Sequence, residues 1–327
     1  MLVFCHCPKT AGTSLFRAIS GIHGPHHSYL TKRERPSIAA LRARGVTFIG
    51  GHVPYGHYTD QTDAAGPDGL HIITFVRDPI PLTFSLYRHC TRHRHAWRSV
   101  TRFFDIELQS RGVDTNTPQA VGLFLSRCTE LTGIRWDNLQ VRFAVDKPTG
   151  ELDWSDLEAA KRNLAAMDVV GVTECFEESL QLIAIRYGWE AVKYSRYGAP
   201  PEVSRPLHDI DLLQEIEACC AMDRALATWG RDRFEAEFAA ARAAWRSAGG
   251  PMVIASAAPK RFSIEWMRVW LAMAQKWSRD DWRWWCETKA VTLGNYFWQR
   301  WRPVRDVRRI VLPMMPSMTR WSGNARR

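Results

Sequence analysis

With 327 residues, 46% of them hydrophobic, the chain is long enough to bury the core of one large α/β domain and to carry an appendage. Its eight cysteines are scattered through apolar segments, neither a secreted-domain disulfide framework nor a set at zinc-site spacing, and no run approaches the roughly 20 apolar residues of a membrane span. The net charge of +10 belongs to one end: Gly250–Arg327 holds 15 Lys/Arg against 5 Asp/Glu and the rest holds 29 of each sign, which argues against a nucleic-acid function for the whole chain.

Met1 runs almost directly into Leu2-Val3-Phe4-Cys5-His6-Cys7, without the basic segment, apolar stretch and cleavage site of a secretory leader. A cytoplasmic protein with reduced, mostly buried thiols is expected, at most peripheral at the inner face of the membrane. Leu2–Cys7 is the first of four short apolar runs that read as buried parallel strands; the others are Val46–Gly51, His71–Val76 and Asp168–Thr173. Helical patterns come after the first, third and fourth at Thr13–Ser20, Ile80–Arg94 and Phe176–Tyr187. Another covers Ser155–Ala166, with Ser155 as N-cap and Glu158 completing a capping box. The alternation predicts an α/β fold in three layers, a parallel sheet covered on both faces. Leu207–Trp245 is Ala-rich with apolar residues at helical spacing and reads as one or two long helices. Gly249-Gly250-Pro251 breaks that pattern, so a boundary falls near Ala248, between a main domain over 1–248 and a helical appendage over 249–327.

The most informative stretch is Cys7-Pro8-Lys9-Thr10-Ala11-Gly12-Thr13-Ser14, between the first strand and its helix. Small residues let the backbone curl so that successive N–H groups and the helix N-terminus point at an anion. Lys9 adds a mobile charge, and Thr10, Thr13 and Ser14 add hydroxyl donors. An ordinary strand-to-helix turn is the bland alternative. The ATPase loop is a poor match, because there Lys comes after the second glycine, whereas Lys9 precedes Gly12 and no glycine stands five residues before it.

Strand, P-K-T-A-G-T-S and helix in that order closely resemble the 5'-phosphosulfate loop of the carbohydrate sulfotransferases, above all the heparan sulfate 2-O-sulfotransferase-like group of sulfotransferase family 2, which often reads H-I-P-K-T-A-G-T-S. His6-Cys7-Pro8-Lys9 matches it with Cys for Ile. The resemblance implies a P-loop-like strand, loop and helix over Lys9–Ser14 that binds 3'-phosphoadenosine-5'-phosphosulfate (PAPS), without a metal. It extends to Arg77-Asp78-Pro79 with Ser85 eight residues after the Arg, where the family's R-D-P-x-x-R-x-x-S pattern holds the 3'-phosphate; Thr83 stands near its second Arg. An Arg fork suits phosphate because it donates two bonds at once. A local Arg77–Asp78 pair is the alternative.

Gly51-His52-Val53, at the end of the second strand, matches the G-H-V whose His is the proposed base of the family. Imidazole suits that task near neutral pH, and His57 is the second choice. Val170-Gly171-Val172-Thr173-Glu174 resembles a mainly structural strand and helix of the family. Asn138-Leu139-Gln140-Val141-Arg142 resembles an N-x-Q-x-R segment, which either touches the acceptor or only packs. Lys193–Tyr197 falls where relatives have a basic loop closing over the nucleotide. The resemblance spans roughly residues 2 to 240 and implies sulfuryl transfer from PAPS to a carbohydrate or glycolipid hydroxyl, with His52 as base and Lys9 on the leaving phosphate. A nucleotide-dependent kinase and an inactive nucleotide-binding scaffold are the rivals. A metal site from His89, His93 and His95 is weighed against a solvated basic face, and the basic face is preferred.

In the tail, Phe262, Trp266, Trp270, Met273 and Trp277 share one helix face, and Trp282, Trp284, Trp285, Trp298 and Trp301 come next among Arg and Lys. Residues 262–301 thus read as a helix docked on the main domain or on a second copy of the chain, as a surface-lying membrane contact, or as an anionic-glycan platform.

Overall fold

Five parallel strands form the central sheet in the order β2-β3-β1-β4-β5. The computed structural model describes residues 1–24, 26–30, 36–52, 54–59, 69–93, 98–194, 209–245 and 252–255, and the aromatic tail helix expected over 262–301 lies outside them. In chain order the first half runs β1 (Leu2–Cys5), α1 (Gly12–His23), β2 (His27–Leu30), α2 (Ile38–Ala43), β3 (Phe48–Gly51), α3 (Tyr55–Thr59), β4 (His71–Val76) and α4 (Pro79–Arg92). The helical middle holds α5 (Arg98–Arg102), a π-helical turn over Phe103–Glu107, α6 (Leu108–Ser110), α7 (Pro118–Thr132), α8 (Leu139–Ala144) and α9 (Trp154–Ala165). Then come β5 (Val169–Val172), α10 (Phe176–Tyr187), β6 (Ala191–Tyr194), α11 (Ile210–Cys219), α12 (Ala221–Trp245) and β7 (Met252–Ala255).

The four anticipated strands are all present and parallel, each trimmed by a residue or two except His71–Val76. β2 is an addition: His-Ser-Tyr-Leu has no apolar run, and it pairs only along β3 at the sheet edge. Successive strand residues face opposite sides, and both sides are covered. Phe16 of α1 lies against Gly50 and the ring of Phe48, and Phe176 of α10 sits 5.8 Å from the ring of Phe75. On the other side Gly230 of α12 lies against Val76 and Val170. A second apolar cluster joins α4, α5, the π-helical turn, α7 and α11 through Phe84, Tyr87, Val100, Phe103, Phe104, Phe124 and Ile216.

Two local expectations are corrected. Asp153, not Ser155, caps α9: its carboxylate accepts from Ser155 N and Asp156 N (2.7 and 3.3 Å), and Asp156 closes the box by accepting from Asp153 N (3.0 Å). Glu158 instead meets Lys161 at 2.8 Å. Lys193 and Tyr194 are strand residues of β6, paired in parallel with β7, and the remainder of that anticipated loop lies outside the described residues. The first compact unit runs to Ala258, past the boundary read near Ala248, and so takes in β7. The seven described cysteines are free, and among the described residues no helix is long and apolar enough to cross a membrane.

Candidate functional site

The chain leaves β1 on one side for β3 and β2 and on the other for β4 and β5, so the strand order reverses at β1. Open parallel sheets bind ligands beyond the carboxyl ends of their strands at such a point. Cys5 pairs with Gly51 of β3 and with Thr74 of β4, so β1 and β3 end level and β4 runs two residues further, to Val76. Beyond those ends stand the Cys7–Ser14 loop after β1, His52 after β3 and Arg77 after β4.

The loop is tightly wound. Lys9 (φ 70°) and Ala11 (φ 60°), one residue apart, are both left-handed, a conformation that strains a residue with a Cβ and turns peptide N–H groups toward an anion. Thr10 between them is fully buried, its hydroxyl donating to Cys7 O at 2.8 Å, so it braces the loop from inside. Ala11 is the N-cap of α1 and offers no side-chain acceptor to the first turn; those N–H groups are the donors a helix start presents. Ser14 is buried, its N–H donating to Ala11 O at 3.0 Å, while Thr13 is exposed on the first turn. Gly12 is obligatory by close approach: a Cβ there would stand 1.8 Å from His6 Nε2.

Arg77 is bound into this loop. Its Nη1 donates to Lys9 O at 2.8 Å. Its Nε is buried without a hydrogen-bond partner and lies 3.9 Å from Glu174 Oε1. Glu174 also accepts from Asp78 N (3.2 Å) and lies 3.7 Å from Arg231, so the V-G-V-T-E segment does more than pack: it supplies the carboxylate beside Arg77. Asp78 itself pairs with Arg224 rather than with Arg77. Burial and the nearby Arg77 lower the Lys9 ammonium to about 8, and burial likewise lowers Arg77.

Ser85 lies on α4, partly exposed. Thr83 is fully buried, so that position faces the core. Arg88, His89 and Arg92 stand three, four and seven residues after Ser85 and so share its side of the helix. Burial, then Lys9, His93, His52 and Arg92, hold His89 down to about 4, which places its imidazole within electrostatic reach of both the loop lysine and His52. Arg92 acts on Lys9 in the same way. This row of basic residue types is legible in the sequence as helical spacing, but the spacing alone suggests no more than a solvated basic face. His89 and His93 have rings 4.7 Å apart, and His95 lies outside the described residues.

His52 is held by its own neighbours. Its Nδ1 is 3.0 Å from His6 O, an atom that only accepts, so Nδ1 carries the proton and Nε2 is the ring nitrogen with the lone pair. Its ring stacks on His6 at 4.2 Å. His6 is buried between His52 and Phe4, with Nδ1 2.9 Å from Tyr29 Oη, and burial, then His52 and Lys9, hold it neutral. Gly51 lets the edge strand come close, since a Cβ there would fall 2.0 Å from Leu30 O. His57 lies in α3, half-buried.

A scan of the sequence against protein-family models found no match, and no curated protein matched it.

Proposed function

We propose that the chain is a PAPS-dependent sulfotransferase acting on a carbohydrate or glycolipid hydroxyl. One observation carries the reading: a strained P-K-T-A-G-T-S loop, an imidazole fixed through Nδ1 on His6 O and a phosphate-type Arg stand beyond the carboxyl ends of three adjacent strands. The P-loop-like character of Lys9–Ser14 belongs to this proposal. Its fit to an anion rests on Arg77 Nε, which is buried without a hydrogen bond, and on a Lys9 ammonium disfavoured by burial and by nearby arginines, a cost that a phosphate would relieve.

The chemistry divides among named atoms. His52 Nε2 takes the acceptor hydroxyl proton as the oxygen forms its bond to sulfur, and the bond from sulfur to the bridging phosphate oxygen breaks. Lys9 and the first-turn N–H groups of α1 stabilise the charge that grows on that oxygen as adenosine 3',5'-bisphosphate departs. Arg77, with Ser85 beyond it, holds the 3'-phosphate.

Calorimetric titration of adenosine 3',5'-bisphosphate in EDTA, with ATP as the comparison, tests the donor site. Bisphosphate binding without ATP binding is the expected result. ATP binding that appears on adding magnesium would overturn it in favour of a kinase.

A further inference from the structure

The segment Asn138–Arg142 is accounted for residue by residue inside the protein, and only one of its polar side chains reaches the site. Asn138 is left-handed (φ 46°), and its Oδ1 accepts from Asp223 N in α12 at 3.0 Å. Arg142, 3% exposed, donates to Asp137 O and Gly150 O at 2.9 Å and pairs with the Asp137 carboxylate at 2.6 Å, closing the chain around α8. Gln140, 4% exposed, turns the other way: its Oε1 accepts from Arg77 N and its Nε2 donates to Arg77 O, both at 2.8 Å. Of the two roles open to this segment, contact with the acceptor or packing, packing holds for Asn138 and Arg142, and Gln140 adds a third.

We infer that Gln140 is a positioning residue for Arg77, its primary amide extending the sheet by one rung so that the strand end cannot rotate away from the phosphate loop. Arg77 is the first residue past β4, beyond the reach of the ladder that fixes Val76. A free strand end would let the guanidinium swing. The Gln amide offers one donor and one acceptor in a plane, the complement of a single residue's N–H and C=O. Gln140 is itself fixed from behind, because the Asp223 carboxylate, 1% exposed, accepts from Gln140 N (3.0 Å) and Val141 N (2.9 Å). The clamp therefore runs from α12 through α8 to Arg77, and from Arg77 Nη1 to Lys9 O.

This inference rests on the donor-site reading above, and its test separates the two. Adenosine 3',5'-bisphosphate and adenosine 5'-monophosphate are titrated by calorimetry into the full chain as wild type, Gln140→Leu, Gln140→Glu, Arg77→Ala and the Arg77→Ala/Gln140→Leu pair. Wild type prefers the bisphosphate. Losing both amide bonds lowers that preference on the order of tenfold in Gln140→Leu, the scale of one hydrogen bond to the gripping group. Gln140→Glu, which keeps the acceptor for Arg77 N, loses less, and it carries the test if the Leu variant does not fold. In the Arg77→Ala background Gln140→Leu has no further effect. Unchanged preference in both single variants, equal weakening of both nucleotides, or additive effects in the pair would overturn the clamp and leave the donor site standing. A wild type without preference for the 3'-phosphate would overturn the donor site and the clamp together.

Discussion

At the amino ends of β1, β3 and β4 the protein opens a cleft of about 460 Å³, walled by Leu2, Val46, His23, Arg42, Tyr187 and Trp189, while at their carboxyl ends stand Lys9, His52 and Arg77. The amino edge has volume but little electrostatic tension. His71 meets Asp168 at 3.1 Å, Arg42 donates to Gly69 O at 2.8 Å, and His23 Nδ1 meets the Thr47 hydroxyl at 2.9 Å. Its buried polar atoms without partners, His23 Nε2 and Tyr187 Oη, belong to groups that burial keeps neutral. The carboxyl edge instead combines two left-handed residues with a lysine pushed down by burial and by arginines. Unfavourable backbone and charge that only an anion would relieve mark a binding site more sharply than empty volume does.

The contrast breaks most visibly at His52. His52→Ala should lower sulfuryl transfer by roughly 10²–10⁴-fold, the usual worth of a general base, with bisphosphate affinity nearly unchanged. Arg42→Ala, at the opposite edge, should leave both unchanged. Next comes Arg77→Ala, which should weaken bisphosphate binding about 100-fold by calorimetry, since it removes a charged fork and leaves Glu174 with Arg231 alone beside it. A comparable loss in Arg42→Ala would erase the distinction between the edges. The pH profile is smaller. Lys9 titrates near 8 in the free protein, and a phosphate favours its charged form. Affinity should therefore be flat from about pH 7 to its midpoint and fall above that by up to about tenfold per pH unit, as each binding event must take up a proton. The ligand's own second ionisation, near pH 6, is complete over that range. Lys9→Met should bind more weakly and lose the slope.

Much of this edge is readable in the sequence, for identifiable reasons. Buried parallel strands announce themselves as continuous apolar runs, and the residues just past their carboxyl ends are polar, so Lys9, His52 and Arg77 stand out against Leu2–Cys5, Phe48–Gly51 and His71–Val76. Their adjacency does not, because strand order is set by long-range pairing that no local pattern carries. α7 is missing from the sequence reading although its ends are well marked, with Thr117 as N-cap accepting from Ala120 N, Pro118 in the first turn and left-handed Gly133 at the end. The α9 cap falls two residues earlier than expected, because Ser155 and Asp153 both fit the cap preference and only the structure shows which one meets the backbone. The clamp on Arg77 lies beyond sequence reasoning altogether: Gln140 and Asp223 are 63 and 146 residues from Arg77, and their role exists only where α8, α12 and β4 meet.

The smallest effect bears most directly on why the two edges differ. A lysine whose folded value sits near 8 rather than 10.5 makes the folded state release its proton before the unfolded chain does. Between those two values the unfolded state holds more protons, so stability rises with pH there, and below about 8 the charged Lys9 weighs against folding in full. Lys9→Met keeps the length of the side chain and removes that charge. At neutral pH the ligand-free variant should melt a few degrees higher than wild type, the scale on which about 1 kcal/mol shifts a domain of this size. The gain should shrink as the pH is raised past the Lys9 midpoint. Arg42→Met, which gives up a bond to Gly69 O and relieves no repulsion, should melt lower. Differential scanning calorimetry across that pH range distinguishes the cases. A Lys9→Met protein less stable than wild type at neutral pH would mean that the loop lysine is satisfied in the free protein, and the carboxyl edge would then hold no more tension than the amino edge.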